Sequence, residues 1–402
     1  MRKSYLTVLY NQVKQGRIFW PFQQALKWPA IRLGKTVNRP LTGPIHGTFF
    51  TTYACNLRCH FCDLPYRHIE YKKAGREELS LQEKLQIVDD FAAIGTTAIG
   101  FTGGEPMLDP DTAHLIRRAV QKGILTHLSS NGFAFTNRDK TREMFDIGLH
   151  ATSISIDGAR AETHNAIRGH KKSFADVMLA LDNLLDVRRT HKNKMSITTT
   201  TVITRDNYSE IPQLVDMLID MGVDQIGFMP VQDIGLDYDV QTRSEHFSIH
   251  QQDLLGKVDA LVDYLIAKKK QTDRIENTIE YLQLFPEAFR GKPLPISCHA
   301  GYNTLAVDSW GDIYPCFPWA EMRRSAGNVR QSRLREFWHS QACSSMRKDA
   351  GACKDCFWNN QTELNLMMSK KRVLPPANYL RREFSQPVPE TLIKHITPGM
   401  SP

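Results

Sequence analysis

Between residues 46 and 230 the sequence alternates short β-branched and aromatic runs with amphipathic helical patterns, and this alternation limits the possible folds most strongly. The extended runs cover residues 46–54, 97–102, 124–129, 151–156, 195–203 and 223–229, and the helical patterns cover 80–94, 111–122, 138–147, 173–190 and 208–221. Six units of this length predict a parallel sheet whose strands are joined by crossover helices. The predicted fold class is therefore α/β.

A polar segment follows each of the first four predicted strands. The segments are a cysteine-rich loop after the first strand, then Gly103-Gly104-Glu105-Pro106, Ser130-Asn131-Gly132 and Asp157-Gly158. Sites in parallel α/β folds gather at the C-terminal ends of the strands, so we expect these segments to share one site. Each also has a simpler interpretation as a turn, because glycine, asparagine and aspartate supply turn geometry readily.

The cysteine-rich loop is Cys55-Asn56-Leu57-Arg58-Cys59-His60-Phe61-Cys62. Its three thiols can hold one face of a four-iron cluster and leave one iron for a ligand that is not protein. The spacing alone also permits zinc, which prefers four nitrogen or sulfur ligands in structural sites. Both alternatives stay open at this point.

A second cysteine group comprises Cys298, Cys316, Cys353 and Cys356, with Cys343 between its members. Residues 300–315 predict a β-hairpin, with its turn at 310–312, that returns Cys316 to the side of Cys298. Four cysteines at these spacings fit structural zinc and an iron–sulfur cluster equally well. The clustering in two groups, without a secretory signal, argues against a disulfide framework and favours a reducing, cytoplasmic location.

The net charge of +8 resides in the first 45 residues, which hold eight Lys or Arg side chains and no acid; the remainder holds 43 basic and 43 acidic residues. With its interspersed aromatic and aliphatic residues, this arm predicts one amphipathic helix, or two separated near Pro21. It could lie as a peripheral contact on the anionic inner face of a membrane or pack against the rest of the protein. No apolar run approaches the ~20 residues that span a bilayer. We recognise no nucleic-acid-binding module, and the arm alone does not establish one.

The cysteine loop has the CxxxCxΦC form of the radical S-adenosylmethionine (radical SAM) superfamily, with Phe61 in the aromatic position, and residues 103–106 resemble that family's GGEP segment. The resemblance implies a partial (βα)6 TIM-like barrel in which Cys55, Cys59 and Cys62 hold a [4Fe–4S] cluster. It further implies that SAM binds the open iron and, after reduction by a partner such as flavodoxin or ferredoxin, yields a 5′-deoxyadenosyl radical that abstracts hydrogen from a substrate.

The resemblance also implies particular SAM contacts. Gly103 and Gly104 would meet the SAM amino group with Glu105 nearby, and the polar loops that contain Asn131, Ser155 and Asp157 would hold its ribose and carboxylate. The segment His164-Asn165-Ala166-Ile167-Arg168-Gly169 resembles a family segment whose arginine pairs with the SAM carboxylate, a pairing that suits the arginine fork. Turn chemistry and, for Arg168, a surface helix cap are the alternatives.

The second cysteine group resembles the SPASM/twitch domains that follow many radical SAM barrels. Full SPASM domains carry seven cysteines for two clusters, whereas this chain matches a twitch-type domain in which Cys298, Cys316, Cys353 and Cys356 hold one auxiliary [4Fe–4S] cluster. Cys343 is then a free thiol, or a substitute for one of the four. A cluster with four protein ligands suits electron transfer, which predicts a net oxidation of the substrate.

The predicted division is an arm (1–45), a barrel core (46–250), a helical connection (251–295), an auxiliary cluster domain (296–361) and a tail (362–402). The sequence predicts a radical SAM oxidoreductase or maturase and leaves open whether the substrate is a peptide, a small molecule or a lipid. The competing hypothesis is a non-catalytic iron–sulfur or zinc protein that acts through a partner or a membrane.

Overall fold

The computed structural model describes residues 20–232, 252–354 and 356–369. Its strands are β1 (His46–Thr52), β2 (Ala98–Gly103), β3 (Leu125–Ser130), β4 (Ala151–Ser155), β5 (Ser196–Ile203), β6 (Gln225–Pro230), β7 (Thr304–Val307), β8 (Asp312–Tyr314) and β9 (Gly327–Asn328). Its α-helices are α1 (Trp20–Thr36), α2 (Leu64–Lys73), α3 (Leu81–Ala93), α4 (Thr112–Gln121), α5 (Arg138–Asp146), α6 (Ala161–Arg168), α7 (Ser173–Thr190), α8 (Ile211–Met221), α9 (Gln252–Thr272), α10 (Ile279–Leu282), α11 (Phe285–Phe289), α12 (Phe317–Glu321), α13 (Leu334–Phe337), α14 (Gln341–Ala352) and α15 (Asn359–Met368).

The predicted α/β fold is confirmed. The described strands form one sheet in the order β6-β5-β4-β3-β2-β1-β7-β8-β9, in which β1 to β6 pair parallel with their neighbours in the chain. Because this order is linear, β1 and β6 are not neighbours and the barrel is partial. Helices α2, α6 and α12 to α15 were not among the predicted patterns. The predicted helical connection over 251–295 contains α9 and the two short helices α10 and α11.

The second cysteine group is attached directly to the barrel sheet. Strand β7 pairs parallel with β1, and β7 and β8 form the predicted antiparallel hairpin. Gly311, in the turn, adopts φ +88°, a conformation that L side chains rarely adopt. The hairpin thereby returns the chain towards the start of β7, where the Thr304 hydroxyl donates to the Pro315 carbonyl at 2.8 Å, immediately before Cys316.

Local sequence explains several helix ends. Ser80 and Glu83 form a capping box at α3, in which the Ser80 hydroxyl accepts from the Glu83 N–H and the Glu83 carboxylate accepts from the Ser80 N–H at 2.8 Å. The Asn137 side chain caps α5. Gly169 and Gly222 end α6 and α8 at φ +66° and +88°, where a Cβ would be strained.

Residues 20–36 form one helix, α1, which packs against the body of the protein. Lys27 Nζ donates to the Thr97 hydroxyl at 2.8 Å, Lys35 Nζ donates to the Cys298 carbonyl at 2.5 Å, and Arg32 donates to backbone carbonyls at the end of α15. Burial lowers the pKa of Lys27 to about 8. Three of the arm's cations therefore stabilise intramolecular packing.

Other predictions fall partly outside the description. Residues 1–19, most of the loop predicted over 231–250, and residues 370–402 lie outside the described residues. The predicted domain boundary at residue 361 falls inside α15. No helix in the described ranges combines the length and apolar composition needed to cross a bilayer.

Candidate active site

The loop of Cys55, Cys59 and Cys62 connects β1 to α2 and is held from two sides. On one side the N–H of Gly104 donates to the Thr52 carbonyl at 2.9 Å, and that of Glu105 donates to the Ala54 carbonyl at 2.8 Å. On the other side the N–H groups of Arg58 and His60 donate to carbonyls at the end of α6. Two separate elements therefore fix the loop.

Gly103 and Gly104 are needed because backbones meet there. An added Cβ would lie 2.1 Å from the Thr52 carbonyl oxygen at Gly103, and 2.3 and 2.4 Å from the Ala54 and Tyr53 carbonyl oxygens at Gly104. Gly103 also adopts φ +145°. Both residues line the cavity described below. The absence of side chains thus permits the cysteine loop to lie against the end of β2, and contact of these glycines with SAM stays a prediction.

Glu105 links two loops of the site. The residue is 1% exposed, and its carboxylate accepts from the Ser130 hydroxyl at 3.0 Å, the Asn131 N–H at 2.8 Å and the Met107 N–H at 3.0 Å. Burial raises the pKa of Glu105 to about 7 despite these donors. Glu105 consequently positions the loop after β3. The sequence motif did not indicate its hydrogen bond with Ser130.

Asp157 and Arg168, predicted separately, form a buried ion pair at 2.6 Å. Arg168 Nη1 also lies 3.7 Å from Cys59 Sγ, and its guanidinium lies 5.7 Å from the Phe61 ring centroid. Arg168 Nε is buried without a hydrogen-bond partner, so this guanidinium retains an unused donor next to the cysteine loop. The surface-cap interpretation of Arg168 is wrong, because its side chain is 9% exposed.

The other two predicted SAM contacts lie at the same end of the barrel. Asn131 Nδ2 donates to Asn56 Oδ1 at 2.8 Å and lies 4.0 Å from Cys55 Sγ. Ser155 ends β4 and lines the cavity. All the predicted SAM-site residues therefore lie around the cysteine loop, and their individual contacts with SAM stay predictions.

A cavity of about 530 Å³ opens beside this loop. Its lining includes all three loop cysteines and also Cys316 from the second group. The inner faces of β1 to β6 and the start of α15 complete its walls. One cavity therefore touches both cysteine groups, a feature that separate motifs could not reveal.

The environment of the three loop cysteines suits the binding of a metal cluster. Burial raises the pKa of Cys55 to about 11 and raises the pKa of Cys59 and Cys62, while the charge of Cys59 raises the pKa of both others further. The three thiols are thus close neighbours in a site that disfavours bare thiolates, and metal binding would replace their protons. In the ranges that the structure describes, no three or more His, Cys, Asp or Glu side chains already stand in metal-binding geometry.

The second group also converges. Burial raises the pKa of Cys316, and the charges of Cys298, Cys356 and Cys353 raise it further. Cys298 and Cys356 are 5% exposed. Cys343 is buried within α14, where burial raises its pKa to about 11 and Arg347 lowers it. The four predicted ligands are therefore neighbours, and Cys343 belongs to a different environment.

Comparison with known families agrees with both parts of this geometry. The radical SAM superfamily matches residues 49–218, and an iron-sulfur cluster-binding domain of the SPASM type matches residues 298–357. The chain belongs to the radical SAM superfamily and carries a SPASM domain. It is thus an enzyme whose cofactors are SAM, a SAM-binding [4Fe–4S] cluster and an auxiliary iron–sulfur cluster. This membership decides against zinc at both cysteine groups.

Named relatives extend along most of the chain. The mycofactocin maturase MftC of Mycolicibacterium smegmatis is 29% identical over 337 residues, which cover 82% of this chain and 79% of that protein. The Fe-coproporphyrin III synthase of Methanosarcina barkeri is 26% identical over 370 residues, which cover 83% and 87%. An AdoMet-dependent heme synthase of Oleidesulfovibrio alaskensis is 26% identical over 330 residues, which cover 77% and 79%.

Solved structures show the same fold. Streptococcus suis SuiB bound to S-adenosylmethionine superposes with a TM-score of 0.60 at 18% identity, covering 85% of this chain and 78% of that one. Native anSMEcpe with bound AdoMet superposes with a TM-score of 0.55 at 17% identity, covering 76% and 84%. These likenesses confirm the TIM-like architecture.

Proposed function

We propose that this enzyme is a maturase-type oxidoreductase that abstracts a hydrogen atom from a substrate and completes a net two-electron oxidation. The observation that supports it best is the shared cavity, whose lining includes Cys55, Cys59 and Cys62 together with Cys316. A substrate in this cavity would lie next to both cysteine groups. The abstracted hydrogen atom would convert the 5′-deoxyadenosyl radical to 5′-deoxyadenosine. The substrate radical would then lose one electron to the auxiliary cluster and one proton to solvent.

In this proposal Cys55, Cys59 and Cys62 hold the first cluster, and Cys298, Cys316, Cys353 and Cys356 hold one auxiliary cluster. When bound, the clusters supply an electron that cleaves SAM and an acceptor for an electron from the substrate. The electron donor would be a reductase such as flavodoxin or ferredoxin.

The chain's own residues orient SAM and exclude water. The buried pair of Arg168 and Asp157 places a guanidinium beside Cys59, and Arg168 lines the cavity, so this guanidinium could donate to the SAM carboxylate. Glu105 holds the Asn131 loop at its observed position. Because the cysteines are largely buried, the reacting atoms would be screened from solvent.

For the substrate, we propose a peptide that inserts one side chain. A cavity of about 530 Å³ is of the size that holds one drug-sized ligand, so SAM and a single side chain would fill it. A maturase is among the named relatives, and one SuiB structure is described as bound to precursor peptide SuiA. A porphyrin substituent is the second candidate, because two relatives are named for coproporphyrin or heme synthesis.

The test starts with anaerobic reconstitution, iron and sulfide counting, and EPR of the reduced protein with and without SAM. We expect about eight irons, a signal that changes with SAM, and loss of about half the iron when Cys55, Cys59 and Cys62 are replaced by Ala. Deuterated candidate peptides and porphyrins should then transfer deuterium to 5′-deoxyadenosine if they are substrates. A signal indifferent to SAM, or no SAM cleavage by the fully loaded protein, would favour the non-catalytic hypothesis.

The predicted membrane contact has a specific surface to support it. Phe22, Leu26 and Leu33 on α1 are 64%, 52% and 55% exposed and recur at helical spacing. We propose that this stripe touches an anionic bilayer, next to the acid-free sequence that precedes it. Replacing the three residues by Ser should abolish flotation with vesicles containing phosphatidylglycerol, whereas Leu179→Ser, at a position 48% exposed, should not. Equal flotation of both variants would refute the contact.

A further inference from the structure

The interior of the barrel is polar, in contrast to an ordinary (βα) barrel, whose interior is filled by branched aliphatic side chains. The cavity walls include polar residues from five adjacent strands: His46, Thr48, Thr102, His127, Ser129, Ser153, Ser155 and Thr200. The alternate residues, such as Phe49, Phe101 and Leu128, are fully buried in the hydrophobic core. The apolar face of the sheet therefore lies under the helices, and small polar side chains leave open space inside.

Two glycines make room for larger polar groups in this interior. A Cβ on Gly100 would lie 2.9 Å from His46 Nε2, and a Cβ on Gly227 would lie 2.8 Å from a carboxylate oxygen of Glu276. Glu276 and His127 also line the cavity. Because any side chain at 100 or 227 would compete for that space, the imidazole and the carboxylate depend on these glycines for their positions.

These groups have hydrogen-bonding capacity that the protein does not use. Among the described residues, no side-chain hydrogen bond involves the His46 or His127 imidazole or the Glu276 carboxylate, and all three are partly accessible from the cavity. Burial lowers the pKa of both histidines to about 4, so both imidazoles are neutral near pH 7. An inward carboxylate that accepts no hydrogen bond is costly unless something else binds it.

The charge balance at this position favours a cation. Glu363, at the start of α15, also lines the cavity, but the Thr278 N–H and hydroxyl each donate to its carboxylate at 2.8 Å. Burial raises the pKa of Glu276 and that of Glu363, and the positive charge of Lys269 lowers both. The Lys269 ammonium itself donates to the Ile275 carbonyl at 2.7 Å. Among the residues that the structure describes, these two carboxylates thus share one neighbouring ammonium. A positive ligand in the cavity would stabilise the charged form of Glu276 further.

We infer that Glu276 forms a substrate subsite for an ammonium or guanidinium group, in the cavity that His46 and His127 also line. Glu276 would accept hydrogen bonds from the cation, and the neutral imidazoles would accept hydrogen bonds from other parts of the substrate. This subsite deepens the proposed function: it assigns a cationic substituent to the part of the substrate that enters the barrel. The cation could belong to a basic side chain of a peptide or to a small amine.

The test measures binding to the anaerobically reconstituted, SAM-loaded holoenzyme by isothermal titration calorimetry. The probes are n-butylamine and n-butylguanidine with n-butanol as the neutral control, and N-acetyl-lysine amide with N-acetyl-norleucine amide for a peptide-borne cation. The variants are Glu276→Gln, Gly227→Ala and the exposed control Glu280→Gln. Reductive SAM cleavage, measured in the same samples without a probe, reports separately on the proposed function.

We expect at least one cationic probe to bind at least tenfold more tightly than its neutral counterpart. Glu276→Gln should remove that preference, Gly227→Ala should weaken it by displacing the carboxylate, and Glu280→Gln should retain it. The thermal midpoint of Glu276→Gln should equal or exceed that of the wild type, because the variant removes a buried charge that accepts no hydrogen bond from the described residues. Tighter binding of N-acetyl-lysine amide than of n-butylamine would identify a peptide as the source of the cation.

Equal binding of cationic and neutral probes, no saturable binding of any cation, or an unchanged preference in Glu276→Gln would overturn the inference. A lower thermal midpoint in Glu276→Gln would assign the carboxylate a structural role and would also count against it. If SAM cleavage is intact in the same samples, these outcomes leave the proposed function unaffected.

Discussion

Replacing Gly104 by Ala is the most direct test of how the cysteine loop is held. The added Cβ would lie 2.3 Å from the Ala54 carbonyl oxygen, whereas ordinary contact begins at 3.4 Å, so the loop would have to move by about 1.1 Å. The same carbonyl accepts the Glu105 N–H at 2.8 Å, so the movement would also break that hydrogen bond. The substitution therefore disturbs two contacts at the base of the loop.

The magnitude follows from these two contacts. Overpacking costs about 1–3 kcal/mol, and the lost hydrogen bond costs about 1 kcal/mol. We expect the free energy of unfolding of the apoprotein to fall by about 2–4 kcal/mol in urea denaturation. The iron content of the reconstituted variant should also fall towards about four irons per chain, those of the auxiliary cluster, because Cys55 directly follows the displaced Ala54.

Gly256→Ala is the matched control. Gly256 lies in α9, and a Cβ there would meet no atom within 4 Å. The control should therefore gain about 0.5–1 kcal/mol from improved helix propensity and retain its iron. Wild-type stability and iron content in Gly104→Ala would refute the role assigned to this glycine.

Three further predictions concern other buried groups. Arg168→Met should cost about 3–5 kcal/mol because it leaves the Asp157 carboxylate buried without its partner, and adding Asp157→Asn should recover part of that loss in a double-mutant cycle. Burial raises the pKa of Glu363 from 4.5 to about 7, so the stability contributed by its protonated form is complete below pH 4.5 and is lost as the pH rises to about 7. Glu363→Gln should remove up to about 3 kcal/mol of this pH dependence of the free energy of unfolding, measured by urea denaturation. Cys316→Ser should lower the iron content and Cys343→Ser should not; equal iron loss in both would contradict the separate environment of Cys343.

The sequence was sufficient for features that depend on neighbours along the chain. The periods of the strand and helix patterns predicted β1 to β6 nearly to their ends, because side-chain alternation within one element is a local property. The spacing of Cys55, Cys59 and Cys62, with Gly103 and Gly104 at the end of β2, was likewise enough to indicate the radical SAM family.

Long-range contacts decided the rest. The sequence offered Asp157 and Arg168 as separate contacts, but their burial in one ion pair depends on how α6 lies against β4. It left open whether the basic arm lies on a membrane or packs against the rest of the protein, and in the structure Lys27 and Lys35 donate to distant oxygens of the body.

The polar interior and the shared cavity were also invisible in the sequence alone. An alternating strand shows that one face differs from the other, but only the packed helices show which face lies outside. The pairing of β7 with β1 brings Cys316 to the same cavity as Cys62, although 253 residues separate them in the chain. The sequence by itself thus determined the elements and the cofactor chemistry, and the tertiary structure decided which side chains meet, because register and packing are set by residues far apart in the chain.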